Sequence, residues 1–482
     1  MINKRIIIFI LGFLLMIESV FIFLSFLVSL FYHEGDSLPL FYSSLITFFS
    51  GMLVWLINRH IDRDFGKREG YIIVSIVWII FSFFGTLPYL LSGAIPNMTD
   101  AFFETMSGFT TTGSSILNDI EALPHGILFW RSITQWMGGM GIIVLSLAIL
   151  PFLGTGGMQL FAAEVPGPTP DKFHPRVRET AKRLWAIYII FTLAEALLLV
   201  LGGMKPFDAI CHAFTTMATG GYSTKQASIA YWSSPFIQYV IILFMFIAGM
   251  NFTLSYYAMH RQFRKVWKNE EFQWYAGFVA GFTVLVVIFL VIIHHRGVEQ
   301  AFREGLFQVV SILTTTGYVT TDYLQWEPFL AVILLVLMFF GGSAGSTGGS
   351  MKIMRIALLV KNSRYELRRL IHPNAVIPVR FNHHKVSPRV ITNVLAFAVI
   401  YIAIFAFGVI VISVMEPTVD SAVSAVATTL GNVGPGLGTV GPMDNFYHIS
   451  PFGKWFLSFL MMLGRLELFT VLILFSPAFW KK

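Results

Sequence analysis

Long apolar runs constrain the fold of this chain more than any other feature of its sequence. A helix needs about 20 mostly apolar residues to cross a lipid bilayer, and several runs in the chain reach that length. Only 12% of the residues are charged, against about 25% in a typical soluble domain, so lipid is the expected surrounding of much of the folded chain. The predicted spans are 6–31, 71–92, 184–203, 236–259, 272–293, 391–414 and 455–475.

The basic residues predict how the spans are threaded. Lys and Arg favour cytoplasmic loops, and 26 of the 33 lie in segments that face the cytoplasm if the N-terminus does. We therefore expect a multi-pass membrane protein with both termini in the cytoplasm. The predicted outer segments carry twelve Asp or Glu against four Lys or Arg, and negative charge at an outer mouth raises the local concentration of cations.

Four predicted outer segments share one pattern, in which a glycine follows an acidic residue by 12–14 positions. The stretch between the acid and the threonines before the glycine is too short to cross a bilayer, so it favours a half-helix that enters the membrane and returns as a loop. Non-helical backbone at membrane depth is tolerated where it is buried in protein or lines a water-filled cavity. Four such loops around one axis predict a pore, with the glycines Gly113, Gly220, Gly317 and Gly434.

Threonine and glycine suit a potassium filter. Backbone carbonyls that aim at one point can replace the water shell of the ion, and glycine adopts positive φ without steric cost. Because Val433 replaces a threonine in the fourth segment, we expect one well-formed ring of carbonyls with looser sites around it. The predicted filter residues are Thr111, Thr112, Gly113, Thr219, Gly220, Thr316, Gly317, Val433 and Gly434, and all of these except Thr111 are predicted to contact potassium.

The apolar stretch 329–360 is interrupted by ten small residues, Gly341 to Ser350. Five of them are glycines, which disfavour a helix, and such a segment at membrane depth must be buried or line a cavity. Its place one span after the third loop predicts a gate below the filter, and the alternative is close helix packing through small residues. The predicted gate residues are Gly341, Gly342, Ser343, Ala344, Gly345, Ser346, Thr347, Gly348 and Gly349, together with Arg465 from the last span.

Arg465 lies inside the predicted span 455–475. A charge at that depth is costly and indicates function by default. Facing the pore, it would repel cations and set a barrier beside the small-residue segment. The alternative is a structural ion pair with nearby Glu467.

Patterns for catalysis and metal binding find little support. Gly341-Gly-Ser343-Ala-Gly345 fits a nucleophile motif, but an apolar span precedes it where that motif needs a strand. The histidine pairs 294–295 and 383–384 lack further ligands at a metal-binding spacing. We expect a transporter rather than an enzyme, with no organic cofactor and no nucleic-acid partner.

The chain resembles the Trk/Ktr/HKT superfamily of potassium transporters over essentially its whole length. Two additional N-terminal spans, 6–31 and 38–58, fit the longer Trk members better than the shorter Ktr subunits. The resemblance rests on Thr110-Thr-Thr-Gly113, Ala218-Thr-Gly220-Gly-Tyr, Thr314-Thr-Thr-Gly317-Tyr, Asn432-Val-Gly434-Pro-Gly436, Gly341-Gly-Ser-Ala-Gly-Ser-Thr-Gly-Gly-Ser350 and Gly464-Arg465.

The resemblance implies uptake of potassium across the bacterial cytoplasmic (inner) membrane, with the four glycines as the filter ring. In the family, serine at the first of these positions accompanies sodium permeation, so Gly113 implies a potassium-preferring pore. The resemblance also implies a homodimer. It further implies a separate cytoplasmic, nucleotide-binding regulatory subunit of the TrkA type, since no part of this chain looks like a nucleotide-binding domain.

The sequence thus predicts an all-α integral membrane protein. Four helix–pore loop–helix repeats surround one central pore, and two extra transmembrane helices precede them. A sodium- or proton-coupled symporter remains the main alternative, and a membrane enzyme is a second, disfavoured one. The predicted boundaries are 1–60 for the N-terminal helices and 70–153, 180–260, 271–360 and 390–482 for the four repeats.

Overall fold

The structure is a computed structural model that describes residues 2–58, 66–141, 177–375 and 377–481. The end of the first predicted repeat, with the connection into the second, lies outside the described residues, as do residues 59–65 between the predicted N-terminal helices and the first repeat. The described chain is predominantly helical, which confirms the predicted all-α class. Its one small sheet pairs the two-residue strands Arg380–Phe381 and His384–Lys385, which the sequence did not predict.

Six continuous helices in the described part of the chain are long and apolar enough to cross a membrane. Apolar side chains stay exposed along them: Leu193, Leu197 and Leu201 are 65%, 61% and 71% exposed, which suits contact with lipid. The six are Lys4–Tyr32, Ser37–Ile57, Lys67–Phe84 with its continuation Leu87–Ser92, Val177–Leu201, Glu270–Ile292 and Pro388–Ile412.

One predicted span, 236–259, is bent rather than straight, so the expectation of a continuous helix there is wrong. Pro235–Gly249 and Phe252–Met259 meet at an angle of 114°. Asn251 lies between them and caps the second helix, because its side-chain oxygen accepts a hydrogen bond from the backbone N–H of Thr253 at 2.8 Å. A capping residue within an apolar run therefore ends one helix and starts another.

The predicted span 455–475 is also bent, so a continuous helix is wrong there too. Pro451–Arg465 and Phe469–Phe475 meet at 109°. Glu467 and Leu468, between the two, have positive φ values of 51° and 57°. Residues in this left-handed conformation cannot continue a right-handed helix.

A short helix precedes each of the four loops that the sequence predicts to enter the membrane. We call these helices pore helices 1 to 4. They contain 12, 12, 16 and 13 residues, which is less than a bilayer crossing requires. The four are Met98–Phe109, Pro206–Met217, Val298–Leu313 and Val419–Gly431.

After each loop the chain enters a second helix that is also interrupted. The third ends at Leu337 and the chain becomes helical again only at Ile353, so the predicted break in the span 329–360 is confirmed. The second helices are His125–Trp136 with the π-helical turn Met137–Gly141, Pro235–Gly249, Pro328–Leu337 and Pro451–Arg465.

Buried apolar side chains form two main clusters. One joins the N-terminal helix to the first and fourth repeats, and the other joins the second and third repeats. The repeats therefore pack as two pairs, and the loops of all four are free to meet between them.

Candidate functional site

The four loops that follow the pore helices share one backbone conformation. Each contains a non-glycine residue with φ of 53° to 59° and, two positions later, a glycine with φ of 77° to 107°. The backbone N–H between them donates to the carbonyl five residues earlier, at 2.8 or 2.9 Å. This unusual conformation recurs in four different sequences, which indicates that the backbone itself has a function. The equivalent triplets are Thr111-Thr112-Gly113, Thr219-Gly220-Gly221, Thr315-Thr316-Gly317 and Asn432-Val433-Gly434.

This geometry corrects the alignment of the second repeat. The sequence comparison placed Gly220 with the glycines of the other three loops. The structure instead places Gly221 there, with φ of 77°, and puts Gly220 at the position that Thr112 occupies in the first loop. Two signals in the sequence would have found this register: Gly221 follows Asp208 by 13 residues, as in the first and third repeats, and a tyrosine comes directly after it, as in the third.

The loops close into a ring in chain order. At three of the positive-φ glycines an added Cβ would collide with a carbonyl oxygen of the next loop, and at Gly434 it would lie 3.0 Å from the carbonyl oxygen of Thr112. Each loop therefore rests on the next, and the last rests on the first. The contacts join Gly113 to Gly220, Gly221 to Thr316, Gly317 to Val433 and Gly434 to Thr112.

A small cavity opens on one side of the ring, which we call the outer side. Its volume is about 80 Å³, and all four positive-φ glycines line it. The residues just after the loops complete its wall, among them Ser114, Tyr222, Val319 and Pro435. The cavity has room for a few water molecules or a partly hydrated ion.

Threonine hydroxyls brace two of the loops from behind. In the first loop Thr110 Oγ1 lies 2.7 Å from Thr112 Oγ1, and in the third Thr314 Oγ1 lies 2.8 Å from Thr316 Oγ1. The fourth loop lacks this pair, but Asn432 Nδ2 donates to Thr112 Oγ1 at 2.9 Å. The fourth loop is thus held through the first, which adds a side-chain link to the ring.

Glycines of the second helices pack directly beneath the loops, on the inner side. A Cβ at Gly138 would collide with the carbonyl oxygen of Phe109, and a Cβ at Gly464 with that of Leu430, which holds the same position in the fourth loop. The second helices therefore touch the ends of the pore helices. They are interrupted at this level, as the π-helical turn Met137–Gly141 illustrates.

The small-residue segment Gly341–Ser350 lies against the inner side of the second and third loops. Thr347 Oγ1 donates to the carbonyl of Met217, at the end of pore helix 2, at 3.1 Å. The backbone N–H of Gly349 donates to Thr315 Oγ1 at 2.7 Å. The segment is therefore bonded directly to two of the four loop regions.

Arg465 joins three repeats at this level. Its guanidinium donates to the carbonyl of Thr347 in the third repeat at 2.5 Å, and to the carbonyls of the glycine pair 138–139 in the first at 2.6 and 3.0 Å. Arg465 itself ends the second helix of the fourth repeat. Glu467, considered from the sequence as its partner, pairs instead with Arg355.

A buried ion pair that the sequence did not indicate supports the outer side. Arg131 Nε lies 2.6 Å from Glu104 Oε1, and both side chains are at most 3% exposed. The guanidinium also donates to the carbonyl of Ser223 at 2.8 Å and lies 3.7 Å above the centre of the Tyr222 ring. Pore helix 1 is thereby tied to the exit of the second loop.

Three of the four acids that begin the repeated pattern make structural contacts. Asp100 accepts from Lys454 Nζ at 2.5 Å, and Asp208 accepts from Thr224 Oγ1 at 2.6 Å. Glu304 is paired with an arginine of the preceding loop. These carboxylates therefore hold the outer segments on the pore helices, and part of the negative charge expected at the outer mouth is neutralised locally.

The fold and the ring define a class of protein: an integral membrane protein in which four re-entrant loops of one chain surround a central pore. Comparison with known proteins gives the family. The TrkH family model, described as a cation transport protein, matches residues 39–482, and the chain belongs to this family. The predicted resemblance to the Trk/Ktr/HKT superfamily is confirmed.

Relatives match nearly the full length of the chain. The Trk system potassium uptake protein TrkH of Escherichia coli (strain K12) is 43% identical over 463 residues, 95% of either chain. The protein of the same name from Vibrio parahaemolyticus is 43% identical over 489 residues, 99% of either chain. The crystal structure of the potassium transporter TrkH from Vibrio parahaemolyticus matches with a TM-score of 0.89, at 39% identity, and covers 100% of both chains. These relatives are transport proteins, which confirms the expectation of a transporter rather than an enzyme.

Proposed function

We propose that this protein takes up potassium ions across the cytoplasmic membrane through the ring of four loops. The observation that carries the proposal is the shared loop backbone, in which a carbonyl oxygen of each of four different segments lies against the positive-φ glycine of a neighbouring loop. Backbone carbonyls in such an arrangement replace the hydration shell of potassium. The names of the relatives, which are potassium uptake proteins, support the same ion.

The proposed filter keeps the residues predicted from the sequence and adds three. Gly221 joins because it holds the position of the other positive-φ glycines, and Thr315 and Asn432 join because they match Thr111 and Thr219. The proposed ion contacts are the carbonyls of Thr112, Gly113, Gly220, Gly221, Thr316, Gly317, Val433 and Gly434. Thr219, which the sequence predicts as a contact, is equivalent to Thr111 in the corrected register and is therefore placed with the other filter residues that do not contact the ion.

We assign the gate to the segment Gly341–Gly349 together with Arg465. The bonds of Thr347 and Gly349 to the ends of two loops support a position in the path of an ion that leaves the ring inward. The guanidinium would repel a cation at this level. It also holds the carbonyl of Thr347, so movement of the segment requires that hydrogen bond to break.

Regulation is proposed to come from outside the chain. The name of the relatives refers to a Trk system, which supports association with other Trk components. We propose that the chain forms a homodimer and binds a nucleotide-binding cytoplasmic subunit of the TrkA type. The distribution of basic residues supports cytoplasmic termini. On the proposed inner side a cleft of about 800 Å³ is lined by Arg264, Lys265, Lys268 and His383, which suits an acidic surface of such a subunit.

The test is ion flux into liposomes that contain the purified chain alone. Potassium-selective flux that follows the gradient in either direction is expected. Flux without selectivity among alkali cations would contradict the filter. Potassium uptake that strictly requires a sodium or proton gradient would replace the pore with a coupled symporter that uses the same ring.

A further inference from the structure

The second loop differs from the others by one missing side chain. Between its two positive-φ residues the other loops carry Thr112, Thr316 and Val433, whereas the second carries Gly220. The backbone of Gly220 is not left-handed, so its conformation does not require glycine. A different constraint applies, because an added Cβ would collide with the side chain of Gln135.

Gln135 occupies the space that the missing side chain leaves. It lies next to the end of the second helix of repeat 1, and it is 0% exposed. Its Nε2 donates to the carbonyl of Gly220 at 2.7 Å, and its Oε1 accepts from the backbone N–H of Tyr222 at 3.0 Å. Both ends of the amide are thus bonded to the backbone of one loop.

Repeats 2 and 4 carry methionine where repeat 1 carries Gln135. Gly139 and Gly249 both pack beneath the loop of the following repeat, so the residues four positions earlier, Gln135 and Met245, are equivalent. Gly138 and Gly464 pack against the ends of the pore helices of their own repeats, so the residues three positions earlier, Gln135 and Met461, are also equivalent. Both methionines are completely buried. The loops that follow repeats 2 and 4 are the third and the first, which have threonine at the central position. The amide therefore faces the loop that has glycine there.

The bond to Gly220 also makes one carbonyl at the central position of the loops unlike the other three. Within the described part of the chain, no backbone N–H outside the helices donates to the carbonyls of Thr112, Thr316 or Val433. The carbonyl of Gly220, by contrast, accepts a hydrogen bond from the neutral amide of Gln135. An oxygen that already accepts a hydrogen bond attracts a cation less strongly and is held in a fixed direction.

We propose that Gln135 is a positioning residue that sets the ion selectivity of the ring by holding and weakening the carbonyl of Gly220. This inference rests on the proposed function, because it requires the ring to bind ions. Ring carbonyls of stronger field favour smaller cations, and a mobile carbonyl adapts to either size. Loss of the amide should therefore reduce the discrimination between potassium and sodium.

The first test replaces Gln135 by the residue that repeats 2 and 4 carry. In full-length protein reconstituted in liposomes, Gln135→Met is expected to lower the K⁺/Na⁺ permeability ratio by up to about tenfold, the equivalent of one hydrogen bond. Gln238→Met is the matched control: Gln238 is also buried in a second helix and donates to a backbone carbonyl, that of Trp232, at 3.0 Å, but outside the ring. Its ratio should equal that of the unaltered protein.

The second test adds a side chain at Gly220 and then removes the side chain of Gln135 that it meets. Gly220→Thr alone should abolish most flux, because the new Cβ collides with Gln135. The double variant Gly220→Thr with Gln135→Ala gives the second loop the side chain of the first and third and removes the obstacle. It should recover at least about tenfold in potassium flux over Gly220→Thr, since contacting residues couple strongly.

The outcomes separate the inference from the proposed function. If the unaltered protein shows no potassium selectivity, the proposed function fails. If it is selective and Gln135→Met lowers only the melting temperature while the permeability ratio stays the same, Gln135 is merely structural and the inference is overturned. If both variants are monodisperse and the potassium flux of the double variant does not exceed that of Gly220→Thr, the inference is likewise overturned.

Discussion

The four repeats are alike in the ring of loops and differ in the layer of second helices beneath it. In the ring, four different triplets adopt one backbone conformation. In the layer beneath, the second helices reach the same level and then continue by a π-helical turn, a bend of 114°, the small-residue segment and a bend of 109°. The four repeats therefore share one backbone conformation in the ring, but the second helices beneath it end in different ways.

Under the proposed function, this difference matches two physical demands. Ligands that discriminate between ions must surround one centre at similar distances, so the loops that carry them must be alike. A gate requires one part that moves against the others, so the parts beneath must differ. The ring contains loops that each support the next, whereas the segment Gly341–Gly349 is a single inserted element held by separate hydrogen bonds.

The largest effect should come from breaking the equality of the ring. Gly317→Ala places a Cβ against the carbonyl of Val433 at a φ of 77°, and strain of about 3 kcal/mol should reduce potassium flux roughly 100-fold. Gly281→Ala is the control, because no atom lies within 4 Å of its added Cβ. Equal flux in both variants would contradict the ring.

A substitution at the first loop should alter selectivity more than flux, because the Cβ added at Gly113 approaches the carbonyl oxygen of Gly220 less closely than the Cβ added at Gly317 approaches that of Val433. The hydroxymethyl group of Gly113→Ser would displace the carbonyl of Gly220. The K⁺/Na⁺ permeability ratio should fall about tenfold, the equivalent of about 1.4 kcal/mol in relative affinity. Bi-ionic potentials or paired flux assays measure this, and an unchanged ratio would remove Gly113 from the filter.

Changes in the lower layer should open the path without changing selectivity. Arg465→Ala removes the hydrogen bond to Thr347 and the positive charge, and basal flux should rise several-fold. Deletion of the segment 341–350 should act in the same direction. Arg465→Lys keeps the charge and loses the geometry of the fork, so low flux in this variant assigns the barrier to charge and high flux assigns it to the tether. Reduced flux in folded Arg465→Ala would argue against the gate.

The smallest effect on transport should come from the ion pair on the outer side. Glu104→Gln leaves Arg131 buried without its carboxylate, which costs about 3–5 kcal/mol, so the melting temperature should fall by several degrees. Glu366→Gln is the control. It breaks an ion pair between Glu366 and Arg369, whose side chains are 54% and 32% exposed, and should change the melting temperature little. A K⁺/Na⁺ ratio that drops in Glu104→Gln as far as in Gly113→Ser would place the pair in the filter rather than around it.

The sequence predicts the membrane class, the short pore helices and the interruption after the third loop, because each depends on local composition. It misses the bends at Asn251 and at Glu467, since an apolar average over a whole span conceals one capping residue or one left-handed turn. The register of the second loop is missed because Gly220 and Gly221 are adjacent and either fits the motif.

Contacts between residues far apart in the chain could not be predicted from the sequence for another reason. Gln135 meets a backbone carbonyl 85 residues away, and Arg131 meets an acid 27 residues earlier on a different helix. A backbone partner leaves no trace in residue type, and 26 acids are available to pair with 33 basic side chains. Only the packing of the repeats decides which ones meet.

Because the ring closes within one chain, each of its four loops is encoded by a different part of the sequence, and a mutation can change one loop without changing the other three. In a pore assembled from four identical copies, a single mutation changes four ligands together, so intermediate selectivities are difficult to reach. Here the central position reads threonine, glycine, threonine and valine around the ring, and each can vary alone. With the ring as the proposed filter, a lineage that carries it can change its preference among ions one ligand at a time, without passing through a filter in which every ligand has changed.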